Sequence, residues 1–173
     1  MSIKVGDPIP TDTKLVYVPY TPASADINAC GIPLPVNIAQ EWANQLVVVV
    51  SVPGAFTPTC ATYHIPPFLQ LYEDFKGKGV DTLAVIAAND PFVMSAWGKA
   101  SNAQDKILFM SDPNAQFSKS IGWSLDLTEK GLGVRTGRYA IVYDHGKVSY
   151  AEIESNPSAH PTVSSAKTVL SKL

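Results

Sequence analysis

The chain has 173 residues, 46% of them apolar, with 13 basic residues against 15 acidic ones and a formal net charge of −2 at pH 7. This length and composition fit one globular domain over residues 1–173, and the balanced charge excludes the basic footprint of a nucleic-acid or anionic-membrane binder. No apolar run approaches the roughly 20 residues of a membrane-spanning helix, and the opening Met1-Ser2-Ile3-Lys4-Val5-Gly6-Asp7 lacks the apolar centre of a secretory signal.

From Met1 to Pro35 the sequence is rich in Pro, Thr and Asp; its one short apolar stretch, Leu15-Val16-Tyr17-Val18, predicts an edge strand or hairpin laid against a main sheet. Cys30 falls in Asn28-Ala29-Cys30-Gly31-Ile32-Pro33, a loop composition that leaves its thiol accessible. A short polar segment from 37 to 44 leads into Leu46-Val47-Val48-Val49-Val50-Ser51-Val52, a β-branched run that predicts a buried strand. This strand ends in the turn Pro53-Gly54 and the loop Ala55-Phe56-Thr57. Pro58 suits the first position of a following helix, where its missing N–H has no partner to lose. Cys60 is therefore predicted in the first helical turn.

Pro66-Pro67 interrupts the helical pattern, predicting a short first helix, a kink and a longer second helix with Phe68, Leu71, Tyr72 and Phe75 at helical spacing. Val80 to Ala87 is nearly continuous in apolar residues and reads as a buried parallel strand, completing a βαβ unit. Asn89-Asp90-Pro91 caps a helix over 92 to about 100, Ile107 to Met110 reads as a strand, and Ser111-Asp112-Pro113 opens a helical turn with Phe117 and Ile121 inward. The segment 122–137 has glycines at 131, 133 and 137 but no preceding strand, so it misses the dinucleotide-binding fingerprint and reads as a loop. Arg138 to Tyr143 and Lys147 to Ala151 flank Asp144-His145-Gly146, a hairpin signal, and a helix from about 161 to 170 follows. The pattern predicts a three-layer α/β domain: a central mixed sheet flanked by helices, with an N-terminal strand or hairpin extension. Ser171-Lys172-Leu173 spells the tripeptide that a peroxisomal import receptor reads at a free C-terminus, giving an expected peroxisomal location with a cytoplasmic share; the same stretch also fits an ordinary helix end.

Cysteines are mostly buried and inert, yet a thiol at a helix start meets unpaired N–H groups and the positive end of the helix dipole, which favour thiolate. With Cys30 and Cys60 as its only cysteines, the chain has no disulfide framework, no four-cysteine metal site and no Cys-x-x-Cys exchange motif. A cysteine hydrolase would need an imidazole base from His64, His145 or His160. Thr57 can place its hydroxyl beside the sulfur or serve as the helix N-cap. Around them the turn at Gly54 and the walls Pro53, Phe56 and Pro58 form a pocket for a small polar electrophile, and a peroxide fits that description.

The pattern Pro-x-x-x-Thr-x-x-Cys, here Pro53, Thr57 and Cys60, resembles the active-site motif of peroxiredoxins. The longer Pro-Gly-Ala-Phe-Thr-Pro-Thr-Cys with His64-Ile65-Pro66 is similar to the type-II, or type-five, subfamily. The resemblance continues through Asn89-Asp90-Pro91-Phe92-Val93-Met94, Ala96-Trp97-Gly98, Ser111-Asp112-Pro113, Phe117, Lys119 and Arg138-Tyr139-Ala140, covering most of residues 1–152. With Ser-Lys-Leu it looks like fungal peroxisomal members, a group that includes allergens.

The resemblance implies a thioredoxin-like fold and a peroxidase acting on hydrogen peroxide or alkyl hydroperoxides. Cys60 would be the peroxidatic cysteine, oxidised to a sulfenic acid, with Thr57, Arg138 and the Cys60 backbone N–H as donors beside Pro53. Arg135 is a candidate supporting residue, and His64 reads as structural. No prosthetic cofactor or metal is implied; an external thiol reductant, thioredoxin or glutathione (glutaredoxin-type), and a homodimer are. The chain departs from many type-II members in having no cysteine after Cys60. Three routes stay open: Cys30 as resolver within a subunit, Cys30 across a dimer, or an external thiol. Peroxide sensing or chaperone action without turnover and cysteine hydrolysis are the rival functions.

Overall fold

The valine run must lie at the centre of a sheet, because a continuous apolar strand cannot present a wet face. The computed structural model describes residues 2–157 and 159–173. Its strands in chain order are β1 (Lys14–Tyr17), β2 (Leu34–Asn37), β3 (Leu46–Ser51), β4 (Thr82–Ala87), β5 (Leu108–Ser111), β6 (Ser124–Leu127), β7 (Gly133–Thr136), β8 (Tyr139–Asp144) and β9 (Lys147–Ile153). The helices are α1 (Ile38–Glu41), α2 (Ile65–Gln70), α3 (Tyr72–Gly77), α4 (Pro91–Ala100), α5 (Gln116–Ser120) and α6 (Ala166–Leu170). Seven strands form one mixed sheet in the order β2-β1-β5-β4-β3-β8-β9, and β6 and β7 form a separate pair.

Along β3 successive side chains alternate between two apolar layers, as the strand period of two requires. Val48 and Val50 pack with Phe68 of α2, Phe75 of α3, Trp97 of α4 and Val169 of α6. Val47 and Val49 pack on the other face with Ile38 of α1, Trp42 and Phe117 of α5. This is the three-layer arrangement expected from the sequence.

Register decides what meets at one end of the sheet. Ser51, the last residue of β3, pairs with Tyr139 at the start of antiparallel β8 and with Ile86 near the end of parallel β4. The loop leaving β3 toward Cys60, the chain entering β8 at Arg138 and the loop leaving β4 at Asn89 therefore share one edge. His145, in the β8–β9 turn, lies at the other end, where Asp144 pairs with Leu46.

Four expectations are corrected. Residues 122–137 are not a plain loop but contain the β6–β7 hairpin, whose short alternating strands were obscured by the glycines at 131 and 133. The edge strand is β2, with β1 inside it, because Pro35 has no N–H to give and is tolerated at an edge. The prolines at 66 and 67 do not break the helix after its first piece: they stand in the first turn of α2, and the break before α3 falls at Leu71. The last helix begins at Ala166 instead of 161, capped by the Ser165 side chain, and residues 162–164 are non-helical.

Gly137, just before Arg138, lets two backbones touch: its N–H donates to the Trp123 carbonyl at 2.8 Å, and a Cβ there would stand 2.6 Å from that oxygen. Gly137→Ala is expected to destabilise the protein by about 1–3 kcal/mol, the range for overpacking. An unchanged urea midpoint would contradict this contact.

Candidate active site

The segment after β3 is tied down by Asn89, just beyond β4, and by Arg135 of β7. Asn89 Oδ1 accepts from the Ala55 N–H at 2.9 Å, and Arg135 of β7 donates through Nη1 to Asn89 Oδ1 at 3.4 Å and to the Pro53 carbonyl at 3.5 Å. Gly54 is buried at the turn, where a Cβ would press on Thr57 Cγ2 at 3.0 Å. Phe56 adopts a left-handed backbone, φ 59°, which turns its ring outward. It stands 6.2 Å from the Trp97 ring at the rim of a groove of about 350 Å³ with Ala61, Pro66 and Leu69. Phe56 and Pro58 are exposed, so neither walls the sulfur as the sequence implied.

Helical structure begins at Pro58, placing Cys60 in the first turn as expected. Thr57 contributes its carbonyl, which accepts from the Ala61 N–H at 2.9 Å. Its hydroxyl donates to the Gly54 carbonyl at 2.8 Å, so its one proton does not go to the sulfur. The oxygen keeps lone pairs for a further donor.

From Cys60 to His64 the helix widens to a π turn, closed by the Ile65 N–H on the Cys60 carbonyl. Pro66 and Pro67 explain it physically: neither offers an N–H, and a proline ring needs room at the carbonyl four residues earlier. The sequence marked the prolines but not the wide turn, which brings His64 beneath Cys60.

Cys60 is fully buried. Arg138, 2% exposed, donates from Nη2 to Cys60 Sγ at 3.2 Å, from Nη1 to His64 Nδ1 at 2.9 Å and from Nε to the Pro157 carbonyl at 2.8 Å. A guanidinium can only donate, so His64 Nδ1 must accept and Nε2 carries the hydrogen. Nε2 then donates to the Ser164 carbonyl at 2.8 Å, which suits an oxygen that can only accept. Burial lowers the His64 pKa to about 4; the Ser164 bond opposes this and the Arg138 charge adds to it.

No carboxylate among the described residues reaches ion-pair distance of Arg138. A buried cation needs a counter-charge, and a thiolate at Cys60 supplies one. The site can therefore hold an anionic sulfur against a permanent donor in a water-poor pocket.

Histidines offer the sulfur no base. Both ring nitrogens of His64 are committed elsewhere, His145 pairs with Asp144 at the far end of the sheet, and His160 lies edge-on to Tyr63 at 4.3 Å. The hydrolase reading loses its general base.

Cys30 is exposed and apart from this cluster, and both cysteines are free. Its loop is moored by Lys99 Nζ on the carbonyls of Asp26 and Ala29, at 3.1 and 2.7 Å. Lys99 lies eight residues along α4 from Pro91, about 12 Å of helix rise from the end nearest the Cys60 loop.

Sequence reasoning missed two supports. Asn89 was counted as part of a helix cap, but Asp90 alone caps α4 through the N–H groups of Phe92 and Val93, leaving Asn89 free for the Cys60 loop. His64 is structural, as the sequence suggested, but that its imidazole would hold Arg138 had no signal in the sequence.

Comparison with known proteins places this geometry among relatives. A family model described as Redoxin matches residues 4–170. A putative peroxiredoxin from Emericella nidulans is 48% identical over 172 residues, covering 99% of this chain and 98% of its own. A putative peroxisomal peroxiredoxin from Lipomyces kononenkoae is 52% identical over 150 residues, with coverage of 86% and 90%. Among solved structures, reduced Prx3 from Vibrio vulnificus in complex with hydrogen peroxide superposes with a TM-score of 0.84 at 35% identity over 99% of each chain.

The buried, neutral His64 makes stability depend on acidity. The unfolded imidazole takes up a proton below about pH 6.5, whereas the folded one resists until about 4. Stability should thus fall as pH drops through this window, by roughly 3 kcal/mol for this group in full. His64→Gln, which can still accept from Arg138 and donate to Ser164 but cannot titrate, is expected to flatten the denaturation profile there. A slope as steep as in the parent protein would show that another group drives it.

Proposed function

Because the chain belongs to the redoxin family and is a peroxiredoxin, a thiol peroxidase of thioredoxin-like fold, we propose that Cys60 is the thiol with which it reduces hydrogen peroxide and alkyl hydroperoxides. The observation that carries this reading is the 3.2 Å hydrogen bond from Arg138 Nη2 to Cys60 Sγ within a buried pocket. A solved relative holding hydrogen peroxide supports the same substrate class.

In the reaction the Cys60 thiolate attacks the terminal oxygen of the peroxide. An S–O bond forms and the O–O bond breaks; sulfur is oxidised by two electrons, and the departing oxygen takes a proton to leave as water or an alcohol. Negative charge builds on both peroxide oxygens, so fixed donors along that line lower the barrier. Arg138 can keep one N–H on sulfur while it turns toward the incoming oxygen, and the Thr57 oxygen can accept the peroxide hydrogen. Pro53 and Gly54 shape the turn that keeps these groups together, with Arg135 bracing it from behind.

A second thiol then attacks the sulfenic sulfur, giving a disulfide and water, and a thioredoxin, glutathione or glutaredoxin-type reductant returns the enzyme to its starting state. Cys30 is a candidate for that second thiol. Its exposure, against the burial of Cys60, favours a bond across a homodimer after the first helical turn opens, and exposed Phe56, Tyr63 and Phe92 offer apolar surface for such a dimer. An external thiol remains the alternative resolver.

A peroxisomal location is proposed from the relative that bears that description and from Ser171-Lys172-Leu173. Ser171 and Lys172 are exposed, and Leu173 packs only partly on the core, so the tripeptide can be withdrawn for a receptor at little cost.

In a coupled assay, Cys60→Ser is expected to abolish peroxide turnover and Arg138→Ala to reduce it about 100- to 1,000-fold, as for loss of one transition-state donor. Wild-type turnover by Cys60→Ser would refute the assignment. After one equivalent of peroxide, mass spectrometry is expected to find a Cys30–Cys60 link between chains; thioredoxin-driven turnover unchanged in Cys30→Ser would remove that cysteine from the cycle. A fluorescent protein fused ahead of residue 1 should collect in peroxisomes and become diffuse when residues 171–173 are deleted, and a diffuse signal from the intact fusion would rule the location out.

A further inference from the structure

The contacts that aim Arg138 lead back to one carboxylate that touches neither sulfur nor substrate. Glu154 directly follows β9, and the pairing of Tyr139 with Ile153 sets it opposite Arg138. Its backbone N–H donates to the Arg138 carbonyl at 2.8 Å. Its side chain turns the other way and collects four donors: Oε1 accepts from the N–H groups of Thr162 and Ser164, at 2.7 and 2.8 Å, and from Ser164 Oγ at 2.7 Å, while Oε2 accepts from Thr162 Oγ1 at 2.7 Å.

These bonds account for the non-helical course of residues 162–164, where the Thr162 and Ser164 N–H groups serve a side chain in place of a helix. They also fix where the Ser164 carbonyl points, and that carbonyl holds His64 Nε2. Burial pushes the Glu154 carboxyl up, but the Ser164 and Thr162 hydrogen bonds outweigh it and hold the group below the usual carboxylate range, so it is ionised whenever the protein is at neutral pH. Its charge is felt at His64, and through this line it is a negative group standing behind the buried guanidinium.

We propose that Glu154 is a positioning residue for the peroxidase reaction, acting through Ser164 and His64 to keep Arg138 Nη2 on the Cys60 sulfur. The inference rests on the roles given above to Cys60 and Arg138. A purely structural role, pinning the C-terminal segment beneath α6, would show in stability but would not depend on Arg138.

A double-mutant cycle separates these roles. The quantity measured is the rate constant for oxidation of reduced enzyme by hydrogen peroxide in a single turnover, in the parent protein, Glu154→Ala, Arg138→Ala and the double variant. Glu154→Ala is expected to lose about tenfold when Arg138 is present and nothing further when Arg138 is alanine, the non-additivity of residues acting in one network. Glu154→Gln, which keeps an acceptor oxygen for Ser164 and Thr162, should recover to within about threefold of the parent. If Glu154→Ala does not fold, Ser164→Ala, which removes one of the four bonds, is expected to lose about twofold to fivefold with the same dependence on Arg138. An equal loss in both Arg138 backgrounds, or no loss, overturns the positioning role while leaving Arg138 intact as a donor. An unchanged rate in Arg138→Ala alone overturns the underlying reading and this one with it.

Discussion

A guanidinium that cannot lose its charge is buried beside a sulfur that can acquire one, and the rest of the site follows from keeping that pair together. Burying an arginine without an acidic partner is costly. Here Arg138 donates to the sulfur, to a neutral imidazole and to a carbonyl, so its charge stays available to the sulfur and to whatever the sulfur attacks. A direct carboxylate would have made a stronger pair and a weaker site. Glu154 stands two hydrogen-bonded groups away, near enough to order the surroundings and too far to neutralise the cation.

The backbone brings these groups together by register. One strand leaves the core toward Cys60 and its antiparallel neighbour enters the core from Arg138, so 78 residues of separation collapse to a single hydrogen bond. The parallel neighbour β4 ends at the same edge and contributes Asn89. Arg138 stands just before β8, Asn89 just after β4, and Cys60 on the helix that the loop from β3 leads into, so all three are anchored to buried strands at one edge, where packing on both faces sets the backbone.

Much of the fold was legible in the sequence because its signals are local and strong. Four consecutive valines, a Pro-Gly turn, an Asp-Pro helix start and a His-Gly hairpin each carry a steric or hydrogen-bonding reason that tertiary context rarely overrides. Several of the misses turn on side-chain partners that a local pattern does not display. Residues 162–164 fit a helix by themselves and become a clamp only because Glu154 takes their N–H groups. The β6–β7 strands look like loop until Arg135 is seen bracing Pro53 and Asn89. In the candidate site, Cys60 and Thr57 are singled out by their neighbours and Arg138 by a family resemblance, whereas the contact of His64 with Arg138 is hidden in a turn type that no simple spacing rule announces.

That wide turn can also be described as a phase shift. A helix advances about 100° per residue, and a single π turn absorbs roughly one residue's worth of rotation. Everything before Cys60 is thereby wound back relative to everything after His64, so the sulfur can face Arg138 while Ile65 and Phe68 still face the core. Cys60 and the anchors Ile65 and Phe68 thus share one buried cluster from one short helix, and the prolines at 66 and 67 hold the offset between them.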